Sequence, residues 1–244
     1  RDTSVTGVQT CALPIWTRGA SGWSSALLST SCVSGAIGST APAIAPDGSL
    51  IGGRVVVPVS RKTNKALPAV WDGPTSPCRI LALPPGRDAA YIKGVSAAGT
   101  VAGAATAGGV SSAVVWDASG VPTILGSLGG TYDEIRGFSR NGTMAVGISN
   151  SVAVLWIRTD AGWSAPIALP CGSWATAVND YGMVLGKGCD GGRWWQMSGS
   201  TVVAQGLMPG YGPSDPHPAA EEITNNTLSG QPWAAGGTGF WRIP

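Results

Sequence analysis

Short apolar segments separated by glycine-rich turns recur along this chain, and the clearest copy lies between Leu125 and Trp156. In that copy a polar Asn141-Gly142 pair precedes an apolar segment that carries Gly147, and a second apolar segment ends at Trp156. Asn-Gly supplies the positive φ that a tight hairpin needs. Short apolar runs bounded by such turns are typical of antiparallel β-strands. The pattern therefore predicts β-hairpins rather than helices.

The turn with its downstream glycine occurs five times, and an apolar strand ending on tryptophan follows each occurrence. Successive copies lie 39 to 51 residues apart. Repeats of this length, with room for four short strands each, are typical of propeller blades rather than of helical solenoids. The glycines are Gly52, Gly103, Gly147, Gly186 and Gly230, and the tryptophans are Trp71, Trp116, Trp156, Trp195 and Trp241.

Both faces of the strand predicted at 152–158 are apolar. Val154 and Trp156 point to one face, whereas Leu155 and Ile157 point to the other. A strand of this kind must be covered on both sides. Neighbouring blades of a propeller supply that cover, whereas a two-layer sandwich leaves one face of each sheet in water.

The sequence thus predicts an all-β, propeller-like array of four-stranded antiparallel blades within a single repeat domain at 16–244. The blades are expected at roughly 43–84, 90–128, 134–170, 174–209 and 220–244. Residues 16–30 are predicted to be the remnant of an upstream blade, because their sequence matches the segment that begins at Trp156. The strand at 25–30 is expected to join the sheet of the last blade.

The first fifteen residues need a separate interpretation. Val5–Ile15 reads VTGVQTCALPI, which resembles the translation of a widely used sequencing-library adapter. Segments foreign to the mature protein are excluded from fold reasoning. We therefore predict that residues 1–15 are non-native, and that the natural chain includes Trp16 and extends further upstream.

The LGSLGG segment at Leu125–Gly130, followed by a short strand, the Asn141-Gly142 turn and the strand ending at Trp156, resembles the HAF family of extracellular repeats of bacterial secreted or surface proteins. The resemblance covers roughly residues 16–244 and is clearest at 90–200. It implies a propeller-like β-structure, an extracellular or cell-surface location and no assigned activity. The family offers no catalytic residue to carry over.

Composition narrows the partners of the chain. Its net charge is +2 and only 11% of its residues are charged. This charge content includes neither the basic patch typical of nucleic-acid-binding proteins nor an acidic tail. The sequence also has no run of about eighteen apolar residues, so no membrane-spanning helix is expected.

Four cysteines remain once Cys11 in the adapter-like segment is set aside, and their spacing does not fit a zinc site. Cys171 and Cys189 lie nearly symmetrically about one hairpin turn, which could bring them to bridging distance. The alternative is a pair of buried free thiols. The extracellular context implied by the resemblance favours a disulfide. Cys32 and Cys78 could pair between adjacent blades, which the sequence alone leaves open.

The chain has few residues that are candidates for catalysis, metal binding or ligand stacking. The only histidine, His217, lies in a proline-rich insertion with Asp215, Glu221 and Glu222. This could be an acid–base or metal-binding loop, but we favour a solvated loop because no second histidine could complete a metal site. No metal or cofactor is predicted. The periodic tryptophans are expected in the core, so if a ligand stacks on a ring, the better candidates are those outside the repeat series, which are Trp23, Trp163, Trp174, Trp194 and Trp233.

The predicted function is that of a non-catalytic extracellular or cell-surface interaction module with an unknown protein or glycan partner. The alternative is a carbohydrate-binding or carbohydrate-active propeller, either a lectin or a glycoside hydrolase. A hydrolase needs two carboxylates that converge on one pocket. The candidates for that pair are Asp88, Asp133, Glu134, Asp215 and Glu221.

Overall fold

The protein is described by a computed structural model that covers residues 11–12, 14–19, 22–208, 222–223, 233–236 and 239–242, and every regular element in these residues is a β-strand. In chain order the strands are β1 (Cys11–Ala12), β2 (Pro14–Gly19), β3 (Gly22–Leu27), β4 (Gly38–Ile44), β5 (Ile51–Pro58), β6 (Asn64–Trp71), β7 (Cys78–Ile80), β8 (Ala89–Val95), β9 (Val101–Ala107), β10 (Val110–Trp116), β11 (Pro122–Ile124), β12 (Asp133–Phe138), β13 (Met144–Ser149), β14 (Val152–Thr159), β15 (Gly162–Trp163), β16 (Ile167–Ala168), β17 (Gly172–Val178), β18 (Met183–Gly188), β19 (Gly191–Ser198), β20 (Thr201–Leu207), β21 (Glu222–Ile223), β22 (Trp233–Gly236) and β23 (Gly239–Arg242).

These strands form consecutive antiparallel sheets, so the predicted all-β, propeller-like array is confirmed. Blade 1 consists of β4–β7, blade 2 of β8–β11, blade 3 of β12–β16 and blade 4 of β17–β20. In each blade the first three strands pair in sequence order, and the outer strand pairs with the third; in blade 3 two short outer strands, β15 and β16, both pair with β14. A further sheet contains β21, β22 and β23. Blade 1 begins at Gly38, ahead of the predicted boundary at residue 43.

The turn between the first two strands has the same geometry in all four blades. Its glycine has a φ of 73° to 77° and donates its N–H to the carbonyl three residues earlier. In blade 3 this glycine is Gly142, whereas Asn141 does not have a positive φ. The loop is therefore a type I turn closed by a left-handed glycine, and not the two-residue Asn-Gly turn that the sequence predicts. Asn141 instead accepts a hydrogen bond from the Thr143 N–H at its side-chain oxygen (2.9 Å).

Alternate residues of the third strand pack against different neighbours, as the sequence predicts for β14. Val154 and Trp156 lie in a core cluster with Ala102 and Val115 of blade 2. Leu155 belongs to a separate cluster with residues of blade 4. Burial on both faces explains why these strands carry so few polar residues.

A repeating hydrogen bond ties each blade to the segment before it, and we call it the indole latch. The repeat tryptophan of the third strand is fully buried, and its Nε1–H donates to the carbonyl two residues beyond the preceding outer strand. The distances are 2.7 to 3.0 Å. The pairs are Trp71 with Ser29, Trp116 with Ala82, Trp156 with Gly126, and Trp195 with Pro170. Trp241 lies in β23, but its side chain is outside the described part.

The N-terminal hairpin resembles the outer half of a blade. In it Arg18 faces Trp23 as Arg158 faces Trp163 in blade 3. Leu28, directly after β3, is buried in the core of blade 1. The strand predicted at 25–30 was expected to pair with the last blade. Among the described residues its β-part instead pairs with β2, because the hairpin is closed locally.

Parts of the segment predicted to be foreign also contact the domain. Cys11 and Ala12 pair in parallel with β4, and Ile15 packs against the core cluster of blade 1. The origin of residues 1–15 stays a prediction. A search of the described residues for a helix with the length and hydropathy to cross a membrane finds none.

Candidate functional site

Each of the four blades has a β-bulge in its innermost strand. In blade 2, Ile92 pairs with Gly103 and Gly94 pairs with the preceding residue, so Lys93 has no partner of its own. Arg136 is the unpaired residue of blade 3, and Thr176 is the corresponding residue of blade 4, where a second register shift leaves Ser173 unpaired as well. Pro42 is the equivalent residue of blade 1, where the shift between Thr40 and Ala43 also leaves Ala41 without a partner. Bulges bend a strand and redirect a side chain. We call Pro42, Lys93, Arg136 and Thr176 the bulge row.

The recurring glycine of the second strand exists because of this bulge. A Cβ on Gly103 would collide with the carbonyl oxygen of Tyr91, and one on Gly147 would collide with that of Glu134. The same relation joins Gly186 to Trp174 and Gly53 to Thr40. In blade 1 the repeat glycine is thus Gly53, and not Gly52 as the sequence suggested. The four carbonyls belong to residues two before the bulge row, which we call the inner row: Thr40, Tyr91, Glu134 and Trp174.

The innermost strands of blades 1 to 4 converge on one cavity of about 860 Å³, the axial groove. Every member of the bulge row lines it. Beside it lies a smaller side pocket of about 440 Å³, whose lining includes Thr40, Tyr91 and Glu134 of the inner row. Four separate repeats therefore each contribute one side chain of the bulge row to the same cavity.

Cations in and beside these cavities lie over aromatic rings. The Arg54 guanidinium and the Lys93 Nζ are 6.0 and 5.8 Å from the centre of the Tyr91 ring. Arg136 and Lys187 lie 5.6 and 5.1 Å from the ring centre of Trp174. Such contacts contribute about 0.5–1 kcal/mol each at exposed sites. The two rings therefore position four positive charges.

Glu134 is the one carboxylate in the linings of the groove and the side pocket, as far as the structure describes them. Its side chain is only 7% exposed. Oε2 accepts hydrogen bonds from the Tyr132 hydroxyl (2.6 Å) and from the Arg136 Nε (3.2 Å). A buried carboxylate needs such partners to remain charged.

The neighbouring phenols are held in their neutral form. Burial, and next the negative charge of Glu134, raises the pKa of the Tyr91 hydroxyl. Burial and the hydrogen bond to Glu134 raise the pKa of Tyr132. Because the charged form of either phenol would add a second negative charge beside Glu134, both rings remain hydrogen-bond donors at neutral pH.

The structure does not bring the three described candidate carboxylates into one pocket. Only Glu134 lines the groove, whereas Asp133 is buried and accepts hydrogen bonds from the Ser127 and Ser149 hydroxyls (3.0 and 2.6 Å). Asp88 is exposed and belongs to neither lining. Asp215, Glu221 and His217 lie outside the described residues, as does the Glu222 side chain.

The structure forms both disulfides that the sequence raised. Cys171 is bonded to Cys189, with their Cα atoms 5.3 Å apart, and Cys32 is bonded to Cys78 with the same separation. Asp190 lies near the Cys171–Cys189 bridge, with its ligand atom within 4.8 Å of the two sulfurs. The bonded sulfurs cannot act as thiolate ligands, so this trio is not a metal site in the oxidised protein.

The tryptophans outside the repeat series have different surroundings. Trp163, Trp174 and Trp194 are half-buried. The face of Trp174 is occupied by Arg136 and Lys187, which leaves less of the ring for a stacked ligand. The side chains of Trp23 and Trp233 lie outside the described part.

Sequence reasoning missed the cations of the groove, although a signal was present. Lys93 and Arg136 each lie six residues before the turn glycine, inside the similar segments IKGV at 92–95 and IRGF at 135–138. A charged residue at the same position of an apolar strand in two repeats indicates a side chain that points away from the hydrophobic core. The bulge allows this orientation.

No family model matches the chain, and comparison with curated proteins finds no match. The resemblance to HAF repeats therefore stays a prediction drawn from the residues alone.

Proposed function

We propose that this chain is a non-catalytic interaction module of an extracellular or cell-surface protein, and that its partner binds in the axial groove. The observation that supports the proposal is that the bulge row and the inner row differ in residue type from blade to blade. Every blade has the same fold, yet the two rows contribute different side chains to the linings of the groove and the side pocket: threonine and proline from blade 1, tyrosine and lysine from blade 2, glutamate and arginine from blade 3, and threonine from blade 4. Function on repeat scaffolds lies in such grafted positions and not in the fold.

Two disulfides support a location outside the cytosol. Cys32 and Cys78 join blade 1 to the segment before it, and Cys171 and Cys189 close the first hairpin of blade 4. Disulfides persist in oxidising compartments and are rare in the cytosol. The resemblance to bacterial surface repeats agrees with that location.

The groove suits binding better than hydrolysis. Glycosidases use two carboxyl groups roughly 5 to 9.5 Å apart across the scissile bond. In the described linings Glu134 stands alone, and Arg136 already neutralises it. Fixed cations and neutral phenols can orient a ligand without the proton transfers that cleavage requires.

The test uses a groove-filling variant and a matched surface variant. Ile44 lines the groove and is 53% exposed, whereas Val121 is 57% exposed and lies outside it. The wild-type chain, Ile44→Trp and Val121→Trp are applied to an array of purified polysaccharides and extracellular matrix proteins. Mass spectrometry of the bound material then detects any cleavage.

We expect intact ligand to bind to the wild type and to Val121→Trp, and not to Ile44→Trp. Cleaved product, or binding that Ile44→Trp leaves unchanged, would show that the groove is not a non-catalytic binding site.

A further inference from the structure

The side pocket has the dimensions of a small-ligand site. Its volume of about 440 Å³ lies at the lower end of the roughly 300–1,000 Å³ typical of ligand pockets. It is formed between β4 and β5 of blade 1, β8 of blade 2 and Glu134 of blade 3. A pocket of this size admits one or two residue-sized units of a longer chain, and it excludes the surface of a folded domain.

Two positive charges in this pocket have no acidic partner among the described residues. Arg54 donates its Nε–H to the Thr40 hydroxyl (3.1 Å) and lies over the Tyr91 ring. Lys93 is exposed and lies over the same ring. The ion pairs of the described chain join other residues, namely Arg136 with Glu134 and Arg193 with Asp190. Arg54 and Lys93 are thus positioned cations that can receive an anion.

Glu134 limits which anion fits. Its buried carboxylate lines the pocket, and it accepts the hydrogen bonds from Tyr132 and Arg136 at Oε2. A fixed negative charge opposes a ligand that carries charge at every unit. The same carboxylate accepts hydrogen bonds from hydroxyl groups. The preferred ligand therefore combines one anionic group with several hydroxyl donors.

We propose that the side pocket binds an acidic sugar unit, with its carboxylate on Arg54 and Lys93 and its hydroxyl groups toward Glu134. This assignment rests on the proposed function, since it names the class of ligand for the side pocket, which shares Pro42, Lys93 and Glu134 with the axial groove. Recognition comes from charge and hydrogen bonds, because the Tyr91 face that could stack on a neutral sugar is shared with the two cations.

The experiment uses matched pairs of saccharides and isothermal titration calorimetry. The acidic members are a galacturonic acid trimer and sialyllactose, and the neutral members are the methyl-esterified trimer and lactose. A poly-glutamate peptide serves as an acidic chain without hydroxyl groups. Lys93→Gln removes one cation of the pocket, and Lys62→Gln removes an exposed charge outside both linings.

We expect at least one acidic saccharide to bind more tightly than its neutral partner. Lys93→Gln should weaken that binding about tenfold or more, since a hydrogen bond to a charged group contributes roughly 1.5–3 kcal/mol. Arg54→Gln should act in the same direction, whereas Lys62→Gln should leave the affinity unchanged. Added salt should weaken binding, because Lys93 is exposed.

Three results would overturn the assignment: equal affinity for acidic and neutral members, tighter binding of poly-glutamate, or no binding of either acidic saccharide at millimolar concentration. These failures are distinct from failure of the proposed function. A neutral glycan or a protein that binds the wild type and is lost in Ile44→Trp would leave the groove as a binding site and refute only the acidic sugar. Circular dichroism of each variant confirms that it is folded.

Discussion

Replacing Trp116 with phenylalanine tests the indole latch between blades 1 and 2. Trp116 is fully buried, and its Nε1 lies 2.7 Å from the carbonyl oxygen of Ala82. The loss of a hydrogen bond costs about 1 kcal/mol. The smaller ring leaves a cavity of about 40 Å³, which adds about 1 kcal/mol, and the lost apolar transfer adds about 1 kcal/mol more. We therefore expect Trp116→Phe to lower the free energy of unfolding by about 3 kcal/mol.

The matched control is Trp163→Phe. Trp163 is half-buried, lies 6.2 Å from Phe138 between ring centres, and is not one of the four latch tryptophans. Urea denaturation followed by far-UV circular dichroism measures both variants, because fluorescence would change with the tryptophan itself. If Trp116→Phe lowers the free energy of unfolding by no more than Trp163→Phe does, the indole latch does not stabilise the contact between the blades.

Three further predictions concern the bulge, the disulfides and an acidic turn. Gly147→Ala should lower the free energy of unfolding by more than about 3 kcal/mol, since the added Cβ meets the Glu134 carbonyl. Gly199→Ala, in an open turn with φ of 55°, should lower it by only about 1–2 kcal/mol. The midpoints of urea denaturation compare the two variants. Replacing both cysteines of the 46-residue Cys32–Cys78 loop with serine should destabilise more than the same change in the 18-residue Cys171–Cys189 loop, by about 4 against about 3 kcal/mol, and equal thermal shifts would refute this. The Ser119 hydroxyl lowers the pKa of Asp117 below its usual 3.8. The stabilisation that this hydrogen bond gives the folded state is therefore present above pH 3.8 and is lost as the pH falls through the pKa of Asp117 in the folded protein. Ser119→Ala should reduce the loss of stability between these two pH values, which urea denaturation at a series of pH values measures.

The fold was predictable because its main signal is local. Strand β14 is apolar at every position from Val152 to Ile157, and only a sheet between two other sheets buries both faces. The repeating tryptophan marks the same strand in each blade. Its latch to the preceding blade could not be predicted, because a sequence does not show which carbonyl an indole will meet.

The candidate site was less predictable because it depends on pairing register. Lys93 and Arg136 read as ordinary strand residues until the bulge leaves each without a partner. The choice of Gly52 as the repeat glycine was wrong, because the sequence does not show which of two adjacent glycines faces the bulged strand. The position that matters is the one facing the Thr40 carbonyl.

The bulge also separates two demands on the same strand. Each blade devotes its paired positions to stability, while the unpaired one tolerates proline, lysine, arginine or threonine without altering the sheet. Selection can therefore exchange the chemistry at the axis one repeat at a time. A scaffold of this kind can acquire a new specificity through a few single substitutions, and the same positions are where an engineer would diversify a library.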